Sequence, residues 1–298
     1  MITFLIGFGG NKIFFKDFKK YKYFYHIKAY FLDKTQYYYC SFIYNNKLIK
    51  DIEKTINYNY KEIFVIKIDI HNYKLINWID INKLSWGWLS SNSNAIKLLE
   101  ENPDKISWYW LSRNPNAIHL LEKNQEKIYW DWLSRNPNAI HLLEKNLDKI
   151  NWCYLSDNPN AINILKKYKN KIYWDEISRN VNAINLLKQN EDKINWCCLS
   201  DNTNAIHLLE TNKNKINWSW LSSNSNAIHI LEQQINKISW NELSSNPNAI
   251  HLLVKYPDKI NWEWLSSNPK AIDLLKTMQN KIDWNVLSEN PSIFELEY

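Results

Sequence analysis

From Trp86 to the C-terminus, apolar and polar positions recur along the chain with a period of 22 residues. Trp stands at 86, 108, 130 and every 22nd position to 284, ten times without insertion or deletion. Counting from each Trp, the third residue on is Leu except for Ile177, the fourth is always Ser (Ser90 through Ser288), and the sixth is always Asn (Asn92 through Asn290). Ala follows at the ninth position from Ala95 to Ala271, with Ile at the tenth and Leu or Ile at the twelfth. Lys-Ile shortly precedes the next Trp, as in Lys105-Ile106 and Lys281-Ile282. Strict self-similarity at this period is the mark of a stacked repeat array; nine units are complete and the tenth is truncated.

Within the unit Trp108 to Tyr129, the second half reads as a helix. Asn114 stands in the N-cap position and Pro115 at the first helical position, where no N–H partner is needed. Ala117, Ile118, Leu120 and Leu121 then share one broad face while His119 points away from it. The helix ends near Asn124, and Pro103 or Pro257 marks the following turn in other units. The first half, Ile106 to Ser112, fits two patterns: its aromatic residues alternate with period two, yet Trp108 with Leu111 and Ile106 with Trp110 are helical pairs. A short helix is favoured because Asp104, Asp148, Asp192 and Asp258 are placed to cap it. In addition, Glu176 and Glu242 take the second Trp position, which a strand buried on both faces would not accept. The fold expected is an all-α repeat, an α-solenoid of short helix pairs, with a small α+β N-terminal segment. The alternative is a leucine-rich-repeat-like α/β solenoid, whose usual period of about 20 to 29 residues includes this one.

Energetics require the units to stack. Burying one Trp contributes about 4 to 6 kcal/mol at most, whereas ordering 22 residues costs on the order of 30 kcal/mol. A lone unit therefore stays unfolded, and stability becomes a sum over neighbours. The last unit replaces Asn-Ala-Ile with Ser292, Ile293 and Phe294 and adds Glu295, Glu297 and Tyr298, which reads as a polar terminal cap. Two regions are expected: 1–83, basic and aromatic-rich, and the solenoid 84–298.

The first region differs in composition and charge. It holds nine of the ten Phe, and residues 1 to 85 carry 14 Lys against 7 acids, for a net charge of +7. Residues 86 to 298 carry 23 Lys plus Arg against 24 acids, so the repeats as a whole lack the clustered positive charge of phosphate binding. Ile63 to Ile68 and Tyr37 to Tyr44 read as strands and Leu48 to Ile56 as a short helix. The run Ile2 to Ile6 leads into Gly7-Phe8-Gly9-Gly10, but Lys12 stands where a dinucleotide fingerprint needs its third glycine and no βαβ pattern follows, so a plain strand-turn is expected.

Other candidate chemistry is weaker than its bland reading. His119, His141, His207, His229 and His251 share one register, but side chains one repeat apart would sit about 10 Å from one another, and Lys97, Asn163, Asn185, Asp273 and Glu295 take the same place elsewhere; a solvated face is expected rather than a metal ladder. Ten equal copies of Ser and Asn suit capping and inter-unit hydrogen bonds, since catalysis needs one special constellation. The invariant Trp series reads as core. Cys40, Cys153, Cys197 and Cys198 form no CxxC pair, and Cys153 and Cys197 lie two units apart, so a reducing compartment is expected. No apolar run approaches the length of a membrane span, and Met1 to Gly10 lacks a basic signal-peptide start.

The string Leu-Ser-x-Asn-Pro-Asn-Ala-Ile-His-Leu-Leu-Glu-Lys-Asn, at Leu111 to Asn124 and Leu133 to Asn146, resembles the 22-residue tandem repeats of uncharacterised proteins of giant DNA viruses of amoebae and other protists. The lead-in Leu75 to Lys83 resembles the segment that often precedes the first repeat in that group. The resemblance covers Trp86 to Tyr298 and implies a viral origin and a host-cell setting; it brings no catalytic or binding residues. The function expected is a non-enzymatic protein–protein interaction scaffold in the host cytoplasm, with virion association also open, binding a host or viral protein without cofactor, metal or membrane. The partner surface is placed at the variable second and fifth positions after each Trp, namely Trp88, Trp110, Arg113, Trp132, Arg135, Arg179, Trp220 and Trp264. The alternative is a nucleic-acid-associated protein binding through residues 1–85, including Lys16, Lys19, Lys20, Lys22 and Lys28.

Overall fold

The structure, a computed structural model, describes residues 73–296 together with the backbone of five earlier strands, and the chain divides into two compact units, Met1–His71 and Asn72–Tyr298. The strands of the first are β1 (Ile2–Ile6), β2 (Asn11–Phe15), β3 (Cys40–Tyr44), β4 (Lys47–Leu48) and β5 (Glu62–Lys67), in the sheet order β2-β1-β5-β3-β4. The strands expected around Ile63 to Ile68 and Tyr37 to Tyr44 are β5 and β3. β1 and β2 pair antiparallel with Ile6 opposite Asn11, so the first described element after β1 is its antiparallel neighbour and not a phosphate-binding helix. The glycines themselves, the helix expected after Leu48 and the lysines at 16 to 28 lie outside the described residues.

In the second unit each complete repeat folds as two short α-helices and one turn of 3-10 helix, for example Trp130–Arg135, Ile140–Lys145 and Leu147–Lys149. The ambiguous first half is thus helical. Its N-cap is the residue just before the Trp, not the aspartate: the side chain of Asn151 accepts from the N–H groups of Cys153 and Tyr154, and Asn217, Asn261 and Asp283 act likewise. Asp104, Asp148, Asp192 and Asp258 instead lie in the preceding 3-10 turns.

The second helix also begins later than its sequence suggests, at Ile118 rather than Pro115. Asn114 ends the first helix and folds a turn, its Oδ1 accepting the N–H of Asn116 at 2.9 Å and its C=O the N–H of Ala117 at 3.2 Å. Its side-chain oxygen accepts as a cap's would, but the residues that follow fold this turn and the α-helix begins only at Ile118, after Ala117; its amide nitrogen is used elsewhere.

That nitrogen reaches the preceding unit. Asn114 Nδ2 donates to the C=O of Ser90 at 3.0 Å and of Asn92 at 2.8 Å, and every later sixth-position Asn repeats the pair of bonds one unit on. Each such Asn is at most 1% exposed. The Ser two residues earlier forms a second seam: Ser112 Oγ donates to the C=O of Trp108 at 2.8 Å and accepts the N–H of Tyr129 at 3.0 Å. Around these polar seams the third-position Leu, ninth-position Ala and thirteenth-position Leu are fully buried, as at Leu133, Ala139 and Leu143.

The invariant Trp are not in that core. They are half-buried, and most carry a Lys from the end of the same unit over the ring, as Lys127 over Trp108 at 4.6 Å and Lys215 over Trp196 at 4.2 Å. Trp152 and Trp240 instead meet the edges of Tyr168 and Tyr256, each with ring centroids 5.2 Å apart. An amphipathic ring under a cation keeps its apolar body packed without full burial.

The array has no free ends, because the first unit packs on the last. The helix Trp86–Ser91 lies against Trp284–Glu289 as neighbouring first helices do elsewhere. Asn92 Nδ2 donates to the C=O of Ser288 and Asn290 at 2.9 and 3.0 Å, Ser85 N donates to Ser288 Oγ at 2.8 Å, and Lys83 sits over Trp284 at 4.8 Å. These are the same bonds that join every other pair. A clasp is added outside the repeat: β6 (Tyr73–Leu75) pairs antiparallel with β7 (Phe294–Leu296). The substitutions in the last unit therefore build a closure, not a cap facing solvent, and the solenoid is a ring of ten units.

First helices pack on one another from unit to unit far more closely than second helices do, so they form the inner layer. Ten helices at about 8–10 Å spacing put their axes about 13–16 Å from the centre, and a helix half-width of about 5–6 Å leaves an opening roughly 15–20 Å across.

Replacing Asn202 by Ala should lower the unfolding free energy by about 2–4 kcal/mol, at about 1–3 kcal/mol for each buried group left short of a partner. Asn204→Ala, which removes one exposed bond to Val181, should cost under about 1 kcal/mol; equal shifts in denaturant midpoint would contradict the buried ladder. Cysteines in place of Lys74 and Glu295, opposed in the clasp, should cross-link on oxidation and stabilise the chain by up to about 5 kcal/mol. Failure to cross-link would mean that the ring is open.

Candidate partner-binding face

On each first helix the second and fifth residues after the Trp lie on one side, opposite the side that carries the buried third and fourth residues. With the core between the inner and outer helices, that side faces the middle of the ring. Contacts that skip a unit bear this out: Arg113 reaches Glu289 at 2.8 Å, Arg135 lies 4.0 Å from Glu176, and Arg179 sits 5.0 Å from the Trp220 ring. Side chains two units apart meet this way only on the concave surface of a closed array.

The face is uneven. Along one arc the second-position rings form a continuous ladder, Trp88 on Trp110 at 5.1 Å, Trp110 on Trp132 at 5.8 Å, and Trp132 on Tyr154 at 5.5 Å with an interplanar angle of 10°. Arg113 lies over both Trp110 and Trp132. The ladder then breaks at Glu176 and Cys198, and Trp220 and Trp264 stand apart, 40% and 43% exposed.

At the break the fifth position alternates in charge. Arg135 Nε donates to Asp157 at 2.6 Å, and Arg179 pairs with Glu176 at 3.3 Å and Asp201 at 3.6 Å. Burial pushes the Asp201 carboxyl above its ordinary value, against the opposing pull of a hydrogen bond from Ser223 and the charge of Arg179. Burial acts upward on Glu242 too, but hydrogen bonds from Ser239, its own backbone and Ser219 outweigh it and hold the carboxyl low. Burial raises the Cys153 and Cys198 thiols, keeping them protonated and poor as nucleophiles.

All eight residues expected at a partner surface therefore lie on this one face. The three arginines are not open anion sites, since each is neutralised by a carboxylate. Sequence reasoning missed those carboxylates, Asp157, Asp201 and Glu289, and the ring Tyr154. Their signal was present in the alternation of Arg and acid at the fifth position, but the unit-skipping pairs need the curvature. The histidine register lies elsewhere, on the second helices, where four of the five meet a glutamate of the unit before: His119 with Glu100, His141 with Glu122 and His251 with Glu232 at 2.8 Å, and His229 with Glu210 at 3.0 Å. Among the described residues no three His, Cys, Asp or Glu come together as a metal site would require, and no helix is long and apolar enough to cross a membrane.

Residues 79–280 match the model of the family described as periplasmic copper-binding protein (NosD). No curated protein and no solved structure matches the chain.

The raised Asp201 pKa makes the folded state bind more protons than the unfolded one just above pH 3.8, so this group's contribution falls as pH rises through that window. The stability of Asp201→Asn relative to the parent should accordingly increase between pH 4 and pH 7, in urea titrations at fixed ionic strength. A difference that is flat or reversed with pH would remove the desolvation account.

Proposed function

We propose that this chain, which belongs to the family described as periplasmic copper-binding protein (NosD), is a non-enzymatic protein–protein interaction scaffold. The observation that carries the reading is the division of labour within each unit. The invariant Ser, Asn and Leu are consumed in inter-unit contacts, and the positions free to vary collect on the inner face of the ring. There Trp220 and Trp264 are large, exposed and aromatic, the residue type on which binding energy concentrates. An opening roughly 15–20 Å across admits an extended segment or a single helix about 10–12 Å wide, but not a folded domain, so the partner enters as a segment of polypeptide.

Copper enters only through the family's description. A copper site draws on converging thiolate, thioether or imidazole donors. Cys197 Sγ instead accepts a hydrogen bond from Asn217, Cys198 lies beside the Arg179 guanidinium, and His119, His141, His229 and His251 meet glutamates of the neighbouring unit. The described residues do not fit a copper site, and the scaffold reading makes no use of one. For the compartment, the resemblance to giant-virus repeats supports the host cytoplasm, with reduced cysteines, whereas the family's description supports a periplasm. The cytoplasmic setting is preferred here because Cys153, Cys197 and Cys198 are all unpaired.

Nucleic-acid association through residues 1–85 rests on their net charge of +7. Its test is salt-dependent RNA or DNA binding by the whole chain.

Replacing Trp220 and Trp264 by Glu, a residue the same register already holds at Glu176 and Glu242, should leave the helical signal and melting temperature nearly unchanged. It should reduce recovery of the partner in quantitative affinity purification at least tenfold. Undiminished recovery, or recovery abolished by nuclease, would overturn the inner-face reading.

A further inference from the structure

The second unit alone carries a tyrosine in both of two registers, Tyr109 and Tyr129. Between the second and third units, Tyr109, Tyr129, Trp130 and Trp132, with Tyr154 of the fourth, line a half-open cavity of about 320 Å³, with Asp131 on its wall. Tyr109 meets Tyr129 at 79° and Trp132 at 81°, with centroids 5.2 and 5.6 Å apart, so the rings stand as adjoining walls at nearly right angles. Tyr109 and Tyr129 are 41% and 50% exposed, which the core does not require of them. Other units place small or polar residues in those registers, Ser219 and Asn241 for Tyr109 and Ser107 and Ser239 for Tyr129. Tyr173 repeats Tyr129 two units on, but the corresponding walls there are Cys153, Glu176 and Cys198, and no aromatic enclosure results.

We propose that this cavity binds a quaternary ammonium group. Aromatic rings carry negative quadrupole potential on their faces and Asp131 adds a full negative charge, so this lining favours a cation. A quaternary ammonium has no N–H to satisfy and loses less on leaving water than a primary ammonium does. The surroundings already draw cations: Lys149 lies 4.7 Å from the centroid of Trp130, and Arg135 lies 5.9 Å from that of Tyr154. Only Oδ1 of Asp131 accepts a hydrogen bond among the described residues, from Asn151 at 3.0 Å. The volume is at the small end of ligand cavities, about 300–1,000 Å³, which suits a single head group. The site shares Trp132 and Tyr154 with the inner face but not the exposed Trp220 and Trp264, and titration with a small cation needs no partner protein, so its failure and that of the scaffold reading are distinguishable.

The test is calorimetric titration of the full chain with choline and with its neutral isostere 3,3-dimethylbutanol. Choline is expected to bind at least tenfold more tightly than the neutral compound. Tyr129→Ser and Tyr109→Ser, both residues that other units tolerate in the same registers, should each weaken choline binding about tenfold, and Asp131→Asn about three- to tenfold, with circular dichroism unchanged. A trimethyllysine peptide binding tenfold more tightly than choline would assign the group to a polypeptide; equal affinity would assign it to a free small cation. Equal binding of choline and its isostere to the parent chain, or no binding of choline at millimolar concentration, overturns the proposal, and neither result depends on how the variants fold.

Discussion

The sixth-position asparagine sets the geometry on which the rest of the molecule depends. Its amide donates both hydrogens to two carbonyls of the preceding unit and accepts one N–H of its own turn. In a site almost devoid of water, leaving any of these partners unmet costs about 1–3 kcal/mol. Aspartate has no hydrogens to give, glutamine is a methylene too long, and serine has one donor in place of two. Ten copies of one residue type thus follow from a local requirement met ten times. The two bonds to the preceding unit set the distance and tilt between neighbours, and with them the curvature, while the third holds the asparagine in its own turn.

Closure is the consequence of that curvature summed ten times. In an open solenoid the two terminal faces are exposed and need specialised caps; here Asn92 finds Ser288 and Asn290 as though the chain continued, and Ser85 finds Ser288. The strand pair β6–β7 lies outside the repeat and secures the one junction that the backbone does not cross. An apolar interface alone would tolerate sliding, whereas a ladder of paired donors and acceptors admits one register, which is how a ring of this many units returns to its starting point.

A ring also divides its surfaces by chemistry. The inner face concentrates rings and balanced charges, and the outer helices carry histidine–glutamate pairs that tie neighbours together across solvent. Against so regular a background, departures from the unit stand out as places where one function is built once. The aromatic ladder from Trp88 to Tyr154, the charged arc from Asp157 to Asp201 and the tyrosine-walled cavity between the second and third units are such departures. None contributes a side chain to the Asn and Ser seams, which Tyr129 joins only through its backbone N–H, so each is free to vary without disturbing the stack.

The period of 22, the helical second half, the stacking and the choice of second and fifth positions as a variable surface were all legible in the sequence, because each follows from local periodicity and residue type. The start of the second helix was misjudged: Asn114 looks like a cap, and its Oδ1 does take the N–H of Asn116, but the chain there folds a turn and the helix begins at Ile118. The bonds of its amide nitrogen to Ser90 and Asn92 need the neighbouring unit to be seen. The invariant Trp looked like core because apolar recurrence is the only cue a sequence offers, while the covering Lys comes from the far end of the unit. The ring could not be read at all. Nothing in one unit encodes the sum of ten small rotations, and only the folded structure brings residue 92 to residue 290 and turns a row of variable positions into the lining of an opening.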